Sequence, residues 1–295
     1  MGLGNILGLA VEPRFATLRK ALLVGAALIG TWGTARADVI VDGIDIPAGA
    51  TLVGQIVFEN VVSSLGSTLE GIGEITSISS GANPPTYSYG ENGKYLTFAF
   101  PASGSSAFTS TYILPPASPL TAGVIDFSGG SAAAYVETSA PNLSTGNTAT
   151  DYANATSGTL FLGVTPTAFN SLGIPGEPAT TTLEATIPAN GTLLSFSQAN
   201  GTAYFDATSG PAESAFNTCA VIVATAQAGG TCAAGTADFQ FSETFSTGSS
   251  GDFPVSGTAF LKGNVIGVPE PASLSLVGAG LLGLGAIRRR RARRG

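Results

Sequence analysis

The stretch Lys94-Tyr-Leu-Thr-Phe-Ala-Phe100 places Leu96, Phe98 and Phe100 at every second position. That is the period of a strand with one face against a core. Ala237-Asp-Phe-Gln-Phe-Ser-Glu-Thr-Phe245 alternates in the same way, and only Glu243 interrupts its apolar face. Further strand-like runs occupy 51–62, 120–127, 132–138, 158–164, 219–224 and 255–262. The pairs Asn92-Gly93, Asn190-Gly191 and Asn200-Gly201 have the composition of two-residue hairpin turns, where both central residues need positive φ. The last two bracket Thr192–Gln198, which predicts strand–turn–strand–turn–strand over about 180–206. Leu69, Ile72, Ile75 and Ile78 recur every three residues, but Gly71 and Gly73 among β-branched neighbours disfavour a helix, so a bulged strand is expected. The reading is all-β: an antiparallel sandwich or barrel-like domain over 38–267, flanked by an N-terminal signal helix and a C-terminal hydrophobic helix. Polar loops at 139–157 and 165–179 would carry any subdivision of that domain.

Charge sharpens the picture. Of 295 residues 11 % are charged, against roughly 25 % in an average soluble domain. Between Asp38 and Val268 there are 17 acidic residues, two lysines (Lys94 and Lys262) and no arginine. A phosphate-bearing partner needs cationic side chains, so nucleic acid is excluded as a partner. The other basic residues lie at two apolar ends.

At the N-terminal end Arg14, Arg19 and Lys20 precede the apolar run Ala21–Gly30, and the small-x-small pattern Ala35-Arg36-Ala37 follows. A basic segment, a short apolar segment and an Ala-x-Ala site make a secretory signal peptide over 1–37, cleaved after Ala37. The alternative, a membrane anchor, needs more length, since about ten residues rise only ~15 Å as a helix. The secretion translocon and signal peptidase are the implied partners.

The C-terminal end reads Val268-Pro269-Glu270-Pro271, then an apolar, glycine-rich run ending at Ile287, then Arg288, Arg289, Arg290, Arg291, Arg293 and Arg294. Prolines on both sides of Glu270 forbid helix continuation and keep the backbone extended. Residues 272–287 would rise ~24 Å as a transmembrane helix, and the arginines would hold its end in the cytoplasm. These three parts, in this order, resemble the PEP-CTERM proteins of Gram-negative bacteria, over 268–295 only. The resemblance implies recognition by an exosortase, a membrane-embedded cysteine transpeptidase, with cleavage at or near Pro269-Glu270-Pro271. It also implies delivery to the cell surface or medium and a link to exopolysaccharide, biofilm or floc formation. A plain C-terminal anchor is the alternative, and the small residues of the run would equally allow helix association.

Cys219 and Cys232 are the only cysteines, in a chain bound for an oxidising compartment, so a structural disulfide is expected. The alternatives are a metal pair or a nucleophilic thiol. With no histidine in the chain, both lack the usual partners. The same absence removes Ser-His-Asp triads and imidazole acid–base catalysis. Carboxylates alone could serve a glycosidase, but no local motif singles out a pair. Calcium needs only oxygen ligands, and Asp42-Gly-Ile-Asp45 is the nearest clustered pair, matching no defined loop. The expectation is therefore no catalytic residue, no metal and no cofactor. Asn-x-Ser/Thr sequons stand at Asn142, Asn154, Asn190 and Asn200.

Two functions are weighed. One is a structural or adhesive surface protein held in, or released to, an exopolysaccharide matrix. The other is a carbohydrate-binding or carboxylate-dependent glycan-hydrolysing protein, which would gather acids in a cleft beside exposed tyrosines such as Tyr87, Tyr89, Tyr135 and Tyr152.

Overall fold

The computed structural model describes residues 36–80, 84–117, 121–169, 178, 181–223, 232–248, 253–265 and 268–269. Most of the expected signal peptide, the expected transmembrane segment 272–287 and the arginine cluster lie outside the described residues. Ala37–Val268 forms one compact unit.

Eight antiparallel strands close into a barrel. In ring order they are β11 (Thr159–Pro166), β10 (Ala132–Glu137), β7 (Tyr95–Phe100), β5 (Gly71–Ser79), β3 (Thr51–Glu59), β17 (Val255–Gly263), β16 (Phe239–Thr247) and β13 (Ala199–Ser209), which returns to β11. The eleven-residue β13 forks. Phe205–Ser209 pairs with β11, while Asn200–Ala203 pairs with β12 (Leu183–Ile187). From β12 a second arm runs through β9 (Gly123–Gly129) and β8 (Phe108–Leu114) to β4 (Thr68–Leu69), one residue before β5 begins. Closure on itself and this second arm leave the ring without the free edges that invite aggregation.

Alternation decides which side chains fill the interior. Leu96 and Phe100 are buried there and Phe98 packs against them, as the seven-residue stretch predicts. Phe239, Phe241 and Phe245 of β16 point the same way. The strands expected at 51–62, 120–127, 132–138, 158–164 and 255–262 all form, with ends moved by a few residues. The isoleucine stretch is a bulged strand. Val53 faces Ser77 and Gly54 faces Ile75, so Thr76 is an extra residue on β5; Ile56 then faces Glu74, so Gln55 is an extra residue on β3. The bulge at Thr76 returns both Ile75 and Ile78 to the main core.

Three expectations are corrected. Thr192–Gln198 is a tight turn with a Thr192–Ser195 bridge, not a strand, and β12 pairs directly with β13. Asn200-Gly201 lies inside β13, where Gly201 faces Glu243, because the cross-strand ladder outweighs the turn preference of the dipeptide. Asn190-Gly191 is shifted within its turn: the Gly191 N–H donates to the Pro188 carbonyl (2.9 Å), so Ala189 and Asn190 are central. Asn92-Gly93 does adopt positive φ at both residues (54° and 68°). So do Asp42 and Gly43 (52° and 80°), which join β1 (Val39–Val41) to β2 (Ile44–Ile46).

The loop expected at 139–157 contains the helix α1 (Thr148–Ala155), begun by the Asn147 side chain accepting from the Thr150 N–H. α1 lies against β5 and β7, and the Thr97 hydroxyl donates to the Ala155 carbonyl (2.6 Å). Under it Ile72, Ala99, Tyr135, Leu143 and Ala155 form a second apolar cluster outside the barrel. Among the described residues, the run at 219–224 supplies the two-residue β14 (Val221–Ile222), paired with β15 (Thr236–Ala237).

Candidate functional site

Inside the barrel the apolar lining is broken by two side chains, Glu59 of β3 and Glu243 of β16. They are 4 % and 5 % exposed. Glu243 has Gly201 on one cross-strand side and Ala259 on the other, so only small residues flank it. Glu59 faces inward because the extra residue at Gln55 shifts strand parity: Leu52 and Gly54 line the interior before it, and Glu59 after it. The two carboxyls are close enough for each to influence the ionisation of the other. Both line a cavity of about 80 Å³, with Phe98, Phe100, Phe205 and Phe241, and also a second of about 40 Å³ toward β9 and β12.

Burial dominates the chemistry of the pair. Removal from water pushes Glu59 up to about 7, partly offset by its hydrogen bond with Glu243. Burial raises Glu243 further, and the neighbouring Glu59 charge adds to it. Near neutral pH the pair therefore holds at least one proton. A glycosidase needs room beside its two carboxyls for the sugar or a water, and this pair is buried among apolar side chains.

Sequence reasoning missed this pair, which is 184 positions apart, although Glu243 marked itself by breaking the alternation of Phe239, Phe241 and Phe245. Glu59 gave no such signal, since the bulge that turns it inward is invisible in the pattern. A second set of neighbouring acids, Asp126 and Glu184, faces across β9 and β12, and both are buried.

Cys219 and Cys232 are joined, with Cα atoms 5.4 Å apart. Asp238 organises the bridge: its Oδ1 accepts from the Thr218 and Cys219 N–H groups (2.7 Å each) and its Oδ2 from the Ala207 N–H (2.9 Å). Beside it Asp206 accepts from the Cys232 N–H (3.4 Å), and burial raises its pKa. Among the described residues Cys219, Cys232 and Asp238 are the three ligand-type residues gathered within 4.8 Å, and two of them are consumed by the bond between their sulfurs. Asp42 occupies the turn between β1 and β2 at positive φ.

The tyrosines expected to be exposed are not all so. Tyr87 and Tyr135 are buried. The Tyr87 hydroxyl donates to the Lys94 carbonyl (3.2 Å) and accepts from the Leu96 N–H (3.0 Å). Tyr152 donates to the Pro101 carbonyl (2.6 Å). Burying a phenol is cheap once its hydroxyl is paired, so these residues serve packing. Of the sequon asparagines, Asn142, Asn190 and Asn200 are exposed, and Asn154 donates to the Asn142 carbonyl (2.8 Å).

Of the sorting residues, Pro269 falls among the described residues, in the extended pair Val268–Pro269. Residues 267–291 match the family model of the PEP-CTERM protein-sorting motif. The chain carries a PEP-CTERM sorting signal. It is thus an exosortase-targeted, exported protein whose sorting signal anchors in the membrane through its C-terminal segment. The match covers the tail alone and assigns nothing to the barrel. No curated protein and no solved structure matches the chain. Among the described residues no helix is long and apolar enough to cross a membrane.

Proposed function

We propose that the barrel is a non-catalytic structural or adhesive module, released to or held at the cell surface and extracellular matrix, where it engages exopolysaccharide in biofilm or floc formation. The observation that carries this reading is the sorting signal joined to an uncharged outer sheet face. On the outside of β13, β16 and β17, Asn200 stands beside Thr244 and Thr258, Thr202 beside Ser242 and Phe260, and Tyr204 beside Gln240 and Lys262. Apart from Lys262 these positions carry no charge. Hydroxyls and amides that both donate and accept can exchange hydrogen bonds with sugar hydroxyls. The Phe260 ring, 43 % exposed, offers an apolar platform for a sugar's C–H face.

Glycan hydrolysis is disfavoured because the paired glutamates are buried in an apolar interior with no room for a sugar chain. Secretion through the translocon, with signal peptidase cutting after Ala37, completes the export route. A sedimentation assay tests the proposal: processed protein is mixed with exopolysaccharide purified from the same cells. Co-sedimentation should weaken at least about tenfold in a Ser242→Glu/Thr244→Glu variant. Absence of wild-type binding, or equal binding by the variant, would overturn it.

A further inference from the structure

Glu59 and Glu243 pose a question of charge that the barrel does not answer from within. The exported domain contains two cationic side chains in all, Lys94 and Lys262. Lys262 is exposed on the outer sheet face, Lys94 precedes β7, and neither lines the cavities. The carboxyl pair is therefore buried with no positive partner. Of its oxygens, Glu243 Oε1 is buried without a hydrogen-bond partner. An interior of aliphatic and aromatic groups has no reason to keep an unpaired acceptor, because each such atom is costly. Only the small residues Gly201 and Ala259 flank Glu243 across the strands. The rings of Phe98, Phe100, Phe108, Phe205 and Phe241 line the same cavity as the pair. Paired carboxyls beside phenylalanine rings offer an ammonium both hydrogen-bond acceptors and the negative faces of aromatic rings.

We infer that the barrel interior is a binding site for a small organic cation: a protonated primary amine on a short apolar body, its ammonium held by Glu243 and Glu59 and its body among the phenylalanine rings. The size follows from the cavity. At about 80 Å³ it is smaller than the roughly 150 Å³ cavity that accommodates benzene in an engineered lysozyme, so the body has only a few carbons. An oligosaccharide does not fit, which separates this site from the outer sheet face. The ammonium donates to Glu243 Oε1, the atom otherwise left without a partner.

The test uses mature protein recovered from its own cells and n-propylammonium chloride as probe, with 1-propanol and sodium chloride as controls at pH 8. The amine should raise the melting temperature by roughly 5–10 °C at about a hundred times its dissociation constant, with no comparable shift from either control. Glu243→Gln should weaken amine binding at least about tenfold. A readout on wild-type protein alone guards against a variant that fails to fold: the ¹⁹F spectrum of 3-fluoropropylamine should show a bound signal displaced by propylamine and not by 1-propanol. Equal stabilisation by 1-propanol would reduce the site to an apolar void and overturn the inference. So would the absence of a bound ¹⁹F signal, or undiminished amine binding in a folded Glu243→Gln protein.

Discussion

Replacing both interior acids, Glu59→Gln/Glu243→Gln, should change how stability depends on pH more than it changes stability at acid pH. Glu59 is raised from 4.5 to about 7 by burial, and Glu243 is raised as well. For an acid whose folded-state pKa lies above its unfolded one, the folded protein holds a proton that the unfolded chain has released. The contribution to stability is then fully present below about pH 4.5 and is lost as pH rises through the folded value. For Glu59 the interval from 4.5 to about 7 corresponds to about 3 kcal/mol. Glu243 extends the loss to higher pH. Wild type should therefore weaken between pH 5 and pH 8, opposite to the acid lability expected of proteins held by salt-bridged carboxylates. The double glutamine variant keeps side chains of similar volume and removes both ionisations. Its stability should vary over this range by at least about 3 kcal/mol less than that of wild type, and at pH 8 it should be the more stable protein. Asp45, Glu74 and Asp206 are also raised by burial, so some slope of the same sign remains. The assay is urea unfolding followed by circular dichroism, because the sole tryptophan, Trp32, precedes the barrel domain. Wild-type stability that rises from pH 5 to pH 8, or an unchanged slope in the variant, would refute the reasoning.

Three further outcomes are expected. Cys219→Ser/Cys232→Ser should lose about 3 kcal/mol in chemical unfolding under oxidising conditions, the chain-entropy value for a loop of this length; a loss below a few tenths would mean that the Asp238 hydrogen bonds hold the segment unaided. Gly73→Ala should cost at least about 2 kcal/mol by the same measurement, since its Cβ would lie 2.4 Å from the Ile56 carbonyl oxygen and 2.5 Å from the Phe98 ring. Asn147→Ala, which removes the side-chain cap of α1, should cost about 1 kcal/mol and expose the Thr145–Thr156 region to faster amide exchange.

How much of this was legible in the sequence follows from the range of the forces involved. Alternation is local, so the strands containing Leu96, Phe98 and Phe100 or Phe239 and Phe241 announced themselves. Closure of the ring depends on β13 pairing with β11 along one half and β12 along the other, and no local pattern encodes a fork. The dipeptide Asn200-Gly201 misled because its turn preference, worth little, was outweighed by a ladder with β12 and β16. Bulges at Gln55 and Thr76 explain both a three-residue periodicity that resembled a helix and the inward turn of Glu59. The disulfide was readable because only two cysteines exist. The Glu59–Glu243 pair was half readable: one partner broke a pattern, and the other lay behind a parity shift. The sorting tail was readable because it is a linear code, independent of the barrel.

The central claim is two-step export ending in exosortase processing. Its most direct test is the intact mass of protein recovered from cell surface and medium, with and without the exosortase. The account predicts a product beginning at Asp38 and ending at or near Pro269-Glu270-Pro271, lost when the exosortase is removed. A product that still carries Arg288–Gly295 in cells containing the exosortase would contradict it and leave the tail a plain membrane anchor.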